Sequence, residues 1–292
     1  MSNIKLIIEE RPSDIGNFMV GRLLPFREKR MVGPFSFIDH MGPALMSDHI
    51  NLDIPPHPHI GLSTLTYLFE GAIMHKDSLG TSVEIKPGQV NWMTSGKGIA
   101  HSERTPEYLR HTNKMLHGLQ IWVALPKDLE QMEPEFFHAD ADQLPVWEEN
   151  GVQYKLIAGE VFGHQSPIPV YSPLYLLELK STSKTNVKIG DQLFGESGIY
   201  ILEGGVESEG NTFGPKQLLV AKESSLCEFT LLANSTIYIF GGEPFPEERF
   251  IYWNFVATSK ELIEAAKTKW LAQEFDPVPG ETEFVPLPER KI

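Results

Sequence analysis

Short runs of apolar residues, many of them alternating with polar ones and bounded by Gly, Pro or Asn, recur along most of the chain. Runs spaced this closely predict short antiparallel strands in a sandwich or barrel. The clearest predicted strands cover residues 63–69, 82–85, 90–93, 116–124, 175–179, 199–202, 217–220 and 236–240. We therefore expect an all-β protein.

One segment near the C-terminus has a different period. Apolar residues recur at helical intervals between 262 and 270, and Thr258 and Glu261 have the spacing of a capping box. This pattern predicts a short C-terminal helix at about 259–273. The proline-rich segment 277–288 that follows is expected to be extended.

A weak internal repeat suggests two similar domains. The segment 67–71 (YLFEG) reappears 133 residues later as 200–204 (YILEG), and 119–123 (LQIWV) resembles 237–240 (IYIF). Two similar β-domains would explain both matches. Chance similarity between two hairpin-rich stretches is the alternative.

The polar, loop-like stretch 133–150 is the expected domain boundary. It divides the chain into an N-terminal domain, 1–135, and a C-terminal domain, 136–292. The second domain then includes the predicted helix and the extended tail.

Composition and charge exclude several classes of protein. The 292 residues are 41% hydrophobic and carry a net charge of −14, and no basic run is longer than the cluster at 27–30, so direct nucleic-acid binding is disfavoured. No apolar stretch approaches the roughly 18–20 residues needed to span a bilayer, and the N-terminus does not resemble a signal peptide. The single cysteine, Cys227, allows no intrachain disulfide. We expect a cytoplasmic protein, monomeric by default because two domains can cover each other's sheets.

The histidines provide the strongest chemical signal. Nine of the ten lie between His40 and His138. His57 and His59 form an H-x-H pair before a predicted strand, and His101 and Glu103 form an H-x-E pair after a glycine-rich run. On extended backbone, residues i and i+2 point to the same face, so each pair can direct two side chains at one point.

Two such pairs on facing strands would supply three imidazoles and one carboxylate. This donor set suits Fe(II), Mn(II), Ni(II), Cu(II) or Zn(II). A structural zinc site is the main rival, and it is disfavoured because such sites usually contain Cys thiolates. A lone H-x-H pair is often only a surface feature, but the two pairs together favour a metal site.

These residues carry a resemblance to a known family. The H-x-H pair, a hairpin, a Pro-Gly turn and a further His resemble the metal-binding pattern of the cupin superfamily, and more specifically the pirin family. The matching segments are 56–59 (PHPH) with Gly61, 67–71 (YLFEG), 75–78 (HKDS), 87–88 (PG), 92–103 (WMTSGKGIAHSE), 117–123 (HGLQIWV) and 241–244 (GGEP). The resemblance is dense from about 33 to 126 and loose between 128 and 239.

The resemblance implies a bicupin, with two tandem cupin β-barrel (jelly-roll-like) domains and a single iron in the N-terminal one. Its metal ligands would be His57, His59, His101 and Glu103. The usual cupin has its carboxylate a few residues after H-x-H, where this chain has Ser63 and Thr64. Glu103 would supply the carboxylate instead, as in pirins.

The second domain is expected to bind no metal in this way. Shifting the four ligand positions by 133 residues gives Gly190, Gln192, Asn234 and Thr236, and none of these is a good transition-metal ligand. The offset ignores insertions, so the counterparts are approximate. The C-terminal half nevertheless has only one histidine, His164.

Four further residues are candidates for the pocket around the metal. Asp39 or His40 could accept a hydrogen bond from an imidazole ligand, as such ligands usually require, although a surface turn explains them equally well. Phe37 and Trp92 could line a cavity for a planar ligand, although aromatics on strands are more often plain core.

Two functions follow from the resemblance. The first is a quercetin 2,3-dioxygenase activity, in which a small planar polyphenol reacts with O2 and Glu103 acts as general base. The second is a non-enzymatic, iron-dependent interaction or regulatory protein with a protein partner. The charge of −14 permits a protein partner, but no basic nuclear-import cluster is present.

Overall fold

The computed structural model describes residues 4–16, 18–221 and 228–288. Cys227 lies outside them. The described residues form twenty-five strands, two single-turn 3-10 helices (Glu107–Leu109 and Gly190–Gln192) and one α-helix, α1 (Lys260–Leu271). The strands are β1 (Ile4–Glu9), β2 (Arg11–Asp14), β3 (Met19–Leu24), β4 (Phe35–Met46), β5 (Asp53–His59), β6 (Leu62–Glu70), β7 (Ile73–Asp77), β8 (Ser82–Ile85), β9 (Val90–Thr94), β10 (Ile99–Arg104), β11 (Lys114–Ala124), β12 (Glu135–Ala139), β13 (Val146–Glu149), β14 (Val152–Val161), β15 (His164–Gln165), β16 (Leu174–Ser181), β17 (Thr185–Lys188), β18 (Glu196–Glu203), β19 (Val206–Ser208), β20 (Asn211–Phe213), β21 (Gln217–Ala221), β22 (Glu228–Leu231), β23 (Ser235–Gly242), β24 (Phe250–Tyr252) and β25 (Phe255–Ala257).

The alternating sequence pattern identified its strands correctly. The eight clearest predicted strands correspond to β6, β8, β9, β11, β16, β18, β21 and β23. The all-β class is confirmed, with one short helix near the C-terminus.

The chain divides into two compact units that interleave along the sequence. The first, which we call the histidine unit, contains Ser13–Val20, His40–His138 and Pro246–Ile292. The second unit contains Met1–Pro12, Gly21–Asp39 and Ala139–Phe245. This division differs from the single boundary near residue 135 that the sequence predicted, because strand pairing and side-chain packing place both termini outside their expected domains.

Each terminal segment belongs to the unit opposite to the one that the sequence predicted, and each has a physical reason. β1 forms an antiparallel pair with β21 of the second unit, which satisfies the backbone hydrogen-bonding groups of both edges. The helix α1 buries Ile263, Ala266 and Trp270 in a cluster with Phe255 and other apolar residues of the histidine unit. The helix therefore belongs with the histidine-bearing strands and not with the second unit.

The two units repeat one topology. The histidine unit contains the sheet β5-β10-β7-β8 and the neighbouring strands β9-β6-β11, whereas the second unit contains β17-β22-β19-β20 and β21-β18-β23 in the same order. The repeated sequence segments lie on β6 and β18 and on β11 and β23. The internal repeat in the sequence therefore reflects a duplicated fold.

The second unit has an apolar interior formed by the inner faces of its sheets. The positions on β17 and β22 that correspond to the histidine-bearing strands are occupied by Val187, Phe229 and Leu231, which are all buried in this core. No transition-metal ligand type is among these three residues.

The helix begins one residue later than the capping-box pattern predicted. Ser259 is its N-cap, and its hydroxyl oxygen accepts a hydrogen bond from the Leu262 N–H at 3.3 Å. The Thr258 hydroxyl instead donates to Glu130 at 2.6 Å. The prediction failed by one position because Thr258 is engaged by a carboxylate remote in sequence.

After α1, residues 275–288 run across the histidine unit, and we call this segment the C-terminal strap. The Val285 N–H donates to the Pro56 carbonyl at 2.8 Å, and the Trp270 indole N–H donates to the Val285 carbonyl at 3.0 Å. The strap thus attaches to the strand that carries His57 and His59. Within the described ranges, no helix combines the length and the apolar character that a membrane crossing requires.

Candidate metal centre

Two neighbouring strands of the histidine unit carry the candidate ligands. β5 and β10 are antiparallel, with His57 opposite His101 and His59 opposite Ile99. The i, i+2 spacing places His57 and His59 on one face of β5, as the sequence predicted. The register between the two strands shifts after His101, so Glu103 lies opposite Ile54 of β5.

The three imidazoles converge in the interior. One nitrogen from each of His57, His59 and His101 lies within 4.8 Å of the others. The ring centroids of His57 and His101 are 4.3 Å apart, and those of His59 and His101 are 5.0 Å apart. All three side chains are buried, with at most 8% of each residue exposed.

Burial keeps these imidazoles neutral. It lowers the pKa of His57 to about 4, and it lowers the pKa of His59 and of His101 well below the usual 6.5. The Nδ1–H of His57 donates to the Pro55 carbonyl at 2.9 Å, which leaves the Nε2 lone pair available. Neutral imidazoles with available lone pairs are the form that binds transition metals.

Several of these nitrogens lack a hydrogen-bond partner among the residues that the structure describes. They are both ring nitrogens of His59 and Nε2 of His101, which make no hydrogen bond of normal geometry to a described residue. Unpaired polar atoms at such depth are costly, on the order of 1–3 kcal/mol each. A divalent transition metal would satisfy one nitrogen of His59 and Nε2 of His101, so the residues fit a metal ion.

Glu103 is buried beside this group but is not one of its three members. The Thr66 hydroxyl donates to Oε1 of Glu103 at 3.4 Å, and burial raises the pKa of the carboxyl above 4.5. Across the neighbouring strand pair, Glu103 lies opposite His75. Its role as a fourth ligand stays a prediction.

His75 and Asp77 extend the histidine cluster on β7, and the sequence analysis gave them no chemical role. His75 Nε2 lies 3.1 Å from Asp77 Oδ2, and His75 Nδ1 lies 3.4 Å from His101 Nδ1. The ring of Phe136 stacks on His75 at 4.7 Å. The signal that could have found them is the H-x-D spacing on a strand, which repeats the i, i+2 geometry of the other pairs.

The predicted pocket residues have other partners. Asp39, in the second unit, accepts two hydrogen bonds from Arg22 at 2.9 Å, and the Arg22 guanidinium lies over the Phe37 ring at 4.5 Å. In the histidine unit, His40 Nε2 lies 2.8 Å from His117 Nε2. His75 is the residue whose imidazole lies within hydrogen-bond distance of His101, at 3.4 Å, and the pocket role of Asp39 or His40 stays a prediction.

Trp92 is part of the core of the histidine unit. It is fully buried on β9, and its indole N–H donates to the Thr94 hydroxyl at 3.1 Å. Trp122 contacts the candidate site, edge-on to His59 at a centroid distance of 5.2 Å. The sequence pattern alone cannot separate these two tryptophans, because both alternate correctly along buried strands.

Two repeats of one antiparallel β fold, with three converging imidazoles in one of them, define a bicupin with a candidate metal centre. The pirin family model matches residues 17–123, and the model of the pirin C-terminal cupin domain matches residues 175–276. The chain belongs to the pirin family.

Relatives and solved structures agree with this assignment. A pirin-like protein from Caulobacter vibrioides is 46% identical over 98% of this chain and 100% of its own length. A Pseudomonas aeruginosa protein, provisionally named a quercetin 2,3-dioxygenase, is 38% identical over 90% of this chain and 82% of its own. The crystal structure of a quercetin 2,3-dioxygenase from Acinetobacter baumannii superposes with a TM-score of 0.88, at 34% identity, over 98% of this chain and 96% of its own.

Proposed function

We propose that this protein is a mononuclear iron dioxygenase that opens the central ring of quercetin-type flavonols with O2. The observation that carries the proposal is the convergence of three buried, neutral imidazoles with unpaired nitrogens. Its support from relatives is the similarity to a solved quercetin 2,3-dioxygenase at 34% identity. In the proposed reaction, one flavonol and one O2 give a ring-opened ester and one carbon monoxide.

The proposed donor set is His57, His59 and His101 with Glu103 as the carboxylate. Three imidazoles and a carboxylate suit Fe(II), and they also accept Mn(II), Ni(II), Cu(II) or Zn(II). Bound iron would supply Lewis acidity towards the flavonol 3-hydroxyl and redox chemistry towards O2. The metal present in the cell depends on availability as well as on affinity.

The chain's own residues perform the proton chemistry in this proposal. Glu103 accepts the flavonol 3-hydroxyl proton in this proposal, because its carboxylate is buried beside the three imidazoles. The Thr66 hydroxyl lies 3.4 Å from Oε1 and is a polar contact of this carboxylate. Trp122, edge-on to His59, excludes water from that side of the imidazole cluster.

The test is flavonol turnover by protein reconstituted with Fe(II) under anaerobic conditions. After O2 is admitted, we expect loss of the visible absorbance of quercetin and release of carbon monoxide. His59→Ala should abolish both, together with metal binding. His49→Ala should abolish neither, because the His49 side chain is 87% exposed and lies outside the cluster.

Two outcomes would overturn the proposal in different ways. Turnover by His59→Ala at the normal rate would place the metal elsewhere. One iron per chain without turnover would instead favour the alternative, an iron-dependent protein that acts through a protein partner. Pull-down experiments with iron-loaded and iron-free protein would then follow.

A further inference from the structure

A line of hydrogen-bonding groups leads from a buried carboxylate to one of the candidate ligands. It runs from Asp77 Oδ2 to His75 Nε2 at 3.1 Å, and from His75 Nδ1 to His101 Nδ1 at 3.4 Å. All three residues are at most 3% exposed. The far nitrogen of His101, Nε2, is the one with no hydrogen-bond partner among the described residues.

The hydrogen bonds of Asp77 determine which nitrogen of His75 carries the proton. Asp77 Oδ1 accepts the backbone N–H groups of Leu79 at 2.9 Å and Thr81 at 3.0 Å. A carboxylate that accepts these bonds accepts at Oδ2 as well, because an ionised carboxylate has no proton to donate. His75 therefore carries its proton on Nε2 and donates it to Asp77.

The protonation of His75 in turn determines which nitrogen of His101 carries the proton. A neutral imidazole with its proton on Nε2 has a lone pair on Nδ1, so His75 accepts a hydrogen bond from His101 Nδ1. His101 is left with its lone pair on Nε2, the nitrogen that is free to bind a metal.

We propose that Asp77 and His75 are positioning residues that hold His101 in the tautomer that binds the metal. The inference rests on the proposed metal site and is independent of flavonol turnover. Asp77 does not contact His101 in this line but acts on it through His75, which lies between them. Carboxylate–histidine pairs behind a ligand commonly fix the ring orientation and the tautomer in this way.

Asp77→Asn is the substitution that should reverse these hydrogen bonds with the smallest change in side-chain shape. The amide oxygen of Asn can still accept the N–H groups of Leu79 and Thr81, which turns the amide nitrogen towards His75 Nε2. An amide N–H donates, so both imidazole hydrogen bonds reverse. The proton of His101 then lies on Nε2 and blocks the metal-binding position.

The first measurement is the tautomer of each histidine in metal-free protein at pH 8, from two-bond 1H–15N NMR correlations. We expect the wild-type protein to show His101 with its proton on Nδ1 and His75 with its proton on Nε2. Asp77→Asn should reverse both assignments. A wild-type His101 with its proton on Nε2 would overturn the inference, and this measurement needs no variant that might fail to fold.

The second measurement is affinity for Co(II), titrated against a competing chelator and followed by its visible absorption. Asp77→Asn should weaken binding about 10- to 100-fold, the usual cost of losing such a partner. In the His75→Ala background, Asp77→Asn should change the affinity by less than about twofold, because the connection to His101 is already broken. Equal affinity of wild-type and Asp77→Asn protein would refute the role of Asp77.

Asp53→Asn is the matched control. Asp53 lies at the start of β5 and accepts two hydrogen bonds from Arg110 at 2.8 Å, so its substitution removes the same charge without touching His75. Its Co(II) affinity should stay within about twofold of the wild type. If wild-type protein shows the expected tautomers but binds no Co(II), the proposed metal function fails while the assignment of the hydrogen bonds holds.

Discussion

Glu281 of the C-terminal strap is the residue whose loss should most clearly loosen the strands that carry the ligands. Its carboxylate accepts hydrogen bonds from the Ser102 hydroxyl at 3.0 Å and from Arg104 Nε at 3.0 Å and Nη2 at 2.7 Å. Ser102 and Arg104 flank Glu103 on β10. Glu281→Gln removes the charge and places an N–H against the Arg104 guanidinium, where donor faces donor.

The expected cost lies between two limits. Hydrogen bonds to charged groups contribute roughly 1.5–3 kcal/mol when buried, whereas exposed ion pairs contribute about 0–1 kcal/mol. The Glu281 side chain is 8% exposed and that of Arg104 is 23% exposed, so the pair is partly shielded. We expect Glu281→Gln to lower the free energy of unfolding by about 1–2 kcal/mol at pH 7, measured by urea denaturation.

Glu283 provides the matched control, since it accepts from the same Arg104 Nη2 at 2.9 Å but its side chain is 65% exposed. Glu283→Gln should cost at most about 0.5 kcal/mol. Equal costs for the two variants would refute the argument from burial.

The difference between wild type and Glu281→Gln should also depend on pH. The Arg104 hydrogen bonds hold the pKa of Glu281 below its usual 4.5. A carboxyl with a lowered pKa in the folded state stabilises the protein fully above its unfolded pKa, and this contribution is lost as the pH falls through the folded value. The difference should therefore be constant from pH 6 to 8 and shrink below about pH 4.5. A difference that grows on acidification would contradict the assigned sign.

Three further predictions concern the backbone and the metal. Gly61→Ala should lower the free energy of unfolding by about 3 kcal/mol or more in urea denaturation, because Gly61 has φ +69° and a Cβ there would lie 2.0 Å from the Val256 carbonyl oxygen. Gly80 is the control, with φ +88° and open space around it, and Gly80→Ala should lower this free energy by only about 1–2 kcal/mol. Removal of bound metal by a chelator should lower stability by about 2.7 kcal/mol relative to protein with free metal at 100 times its Kd, and His101→Ala should show no such difference. Elemental analysis should find one metal per chain, and two would show that the second unit also binds one.

Local patterns in the sequence were sufficient for eight of the twenty-five described strands and for the central histidines. Side chains two residues apart on a strand share a face whatever the tertiary context, so His57 with His59 could be placed together before the structure was available. The repeat between 67–71 and 200–204 likewise located equivalent strands, because both segments lie at the centre of a sheet with the same neighbours.

Contacts between residues remote in sequence could not be read in the same way. β1 pairs with β21, more than 200 residues later, and neither strand has a local feature that selects the other. Asp39 is acidic and near the metal motif in sequence, but Arg22 takes both of its oxygens. The contact between His75 and His101 depends on the register of β7 against β10, which no periodicity specifies.

The interiors of the two units differ in how the inward-facing side chains affect stability. On β17 and β22 the inward positions hold Val187, Phe229 and Leu231, whose burial stabilises the second unit directly. On β5 and β10 the equivalent interior contains imidazoles with unpaired nitrogens, which destabilise it until a metal binds. The strap bonds the backs of these same strands, through Pro56 on β5 and Ser102 on β10. The strap therefore stabilises the two strands whose interior the unpaired imidazole nitrogens destabilise.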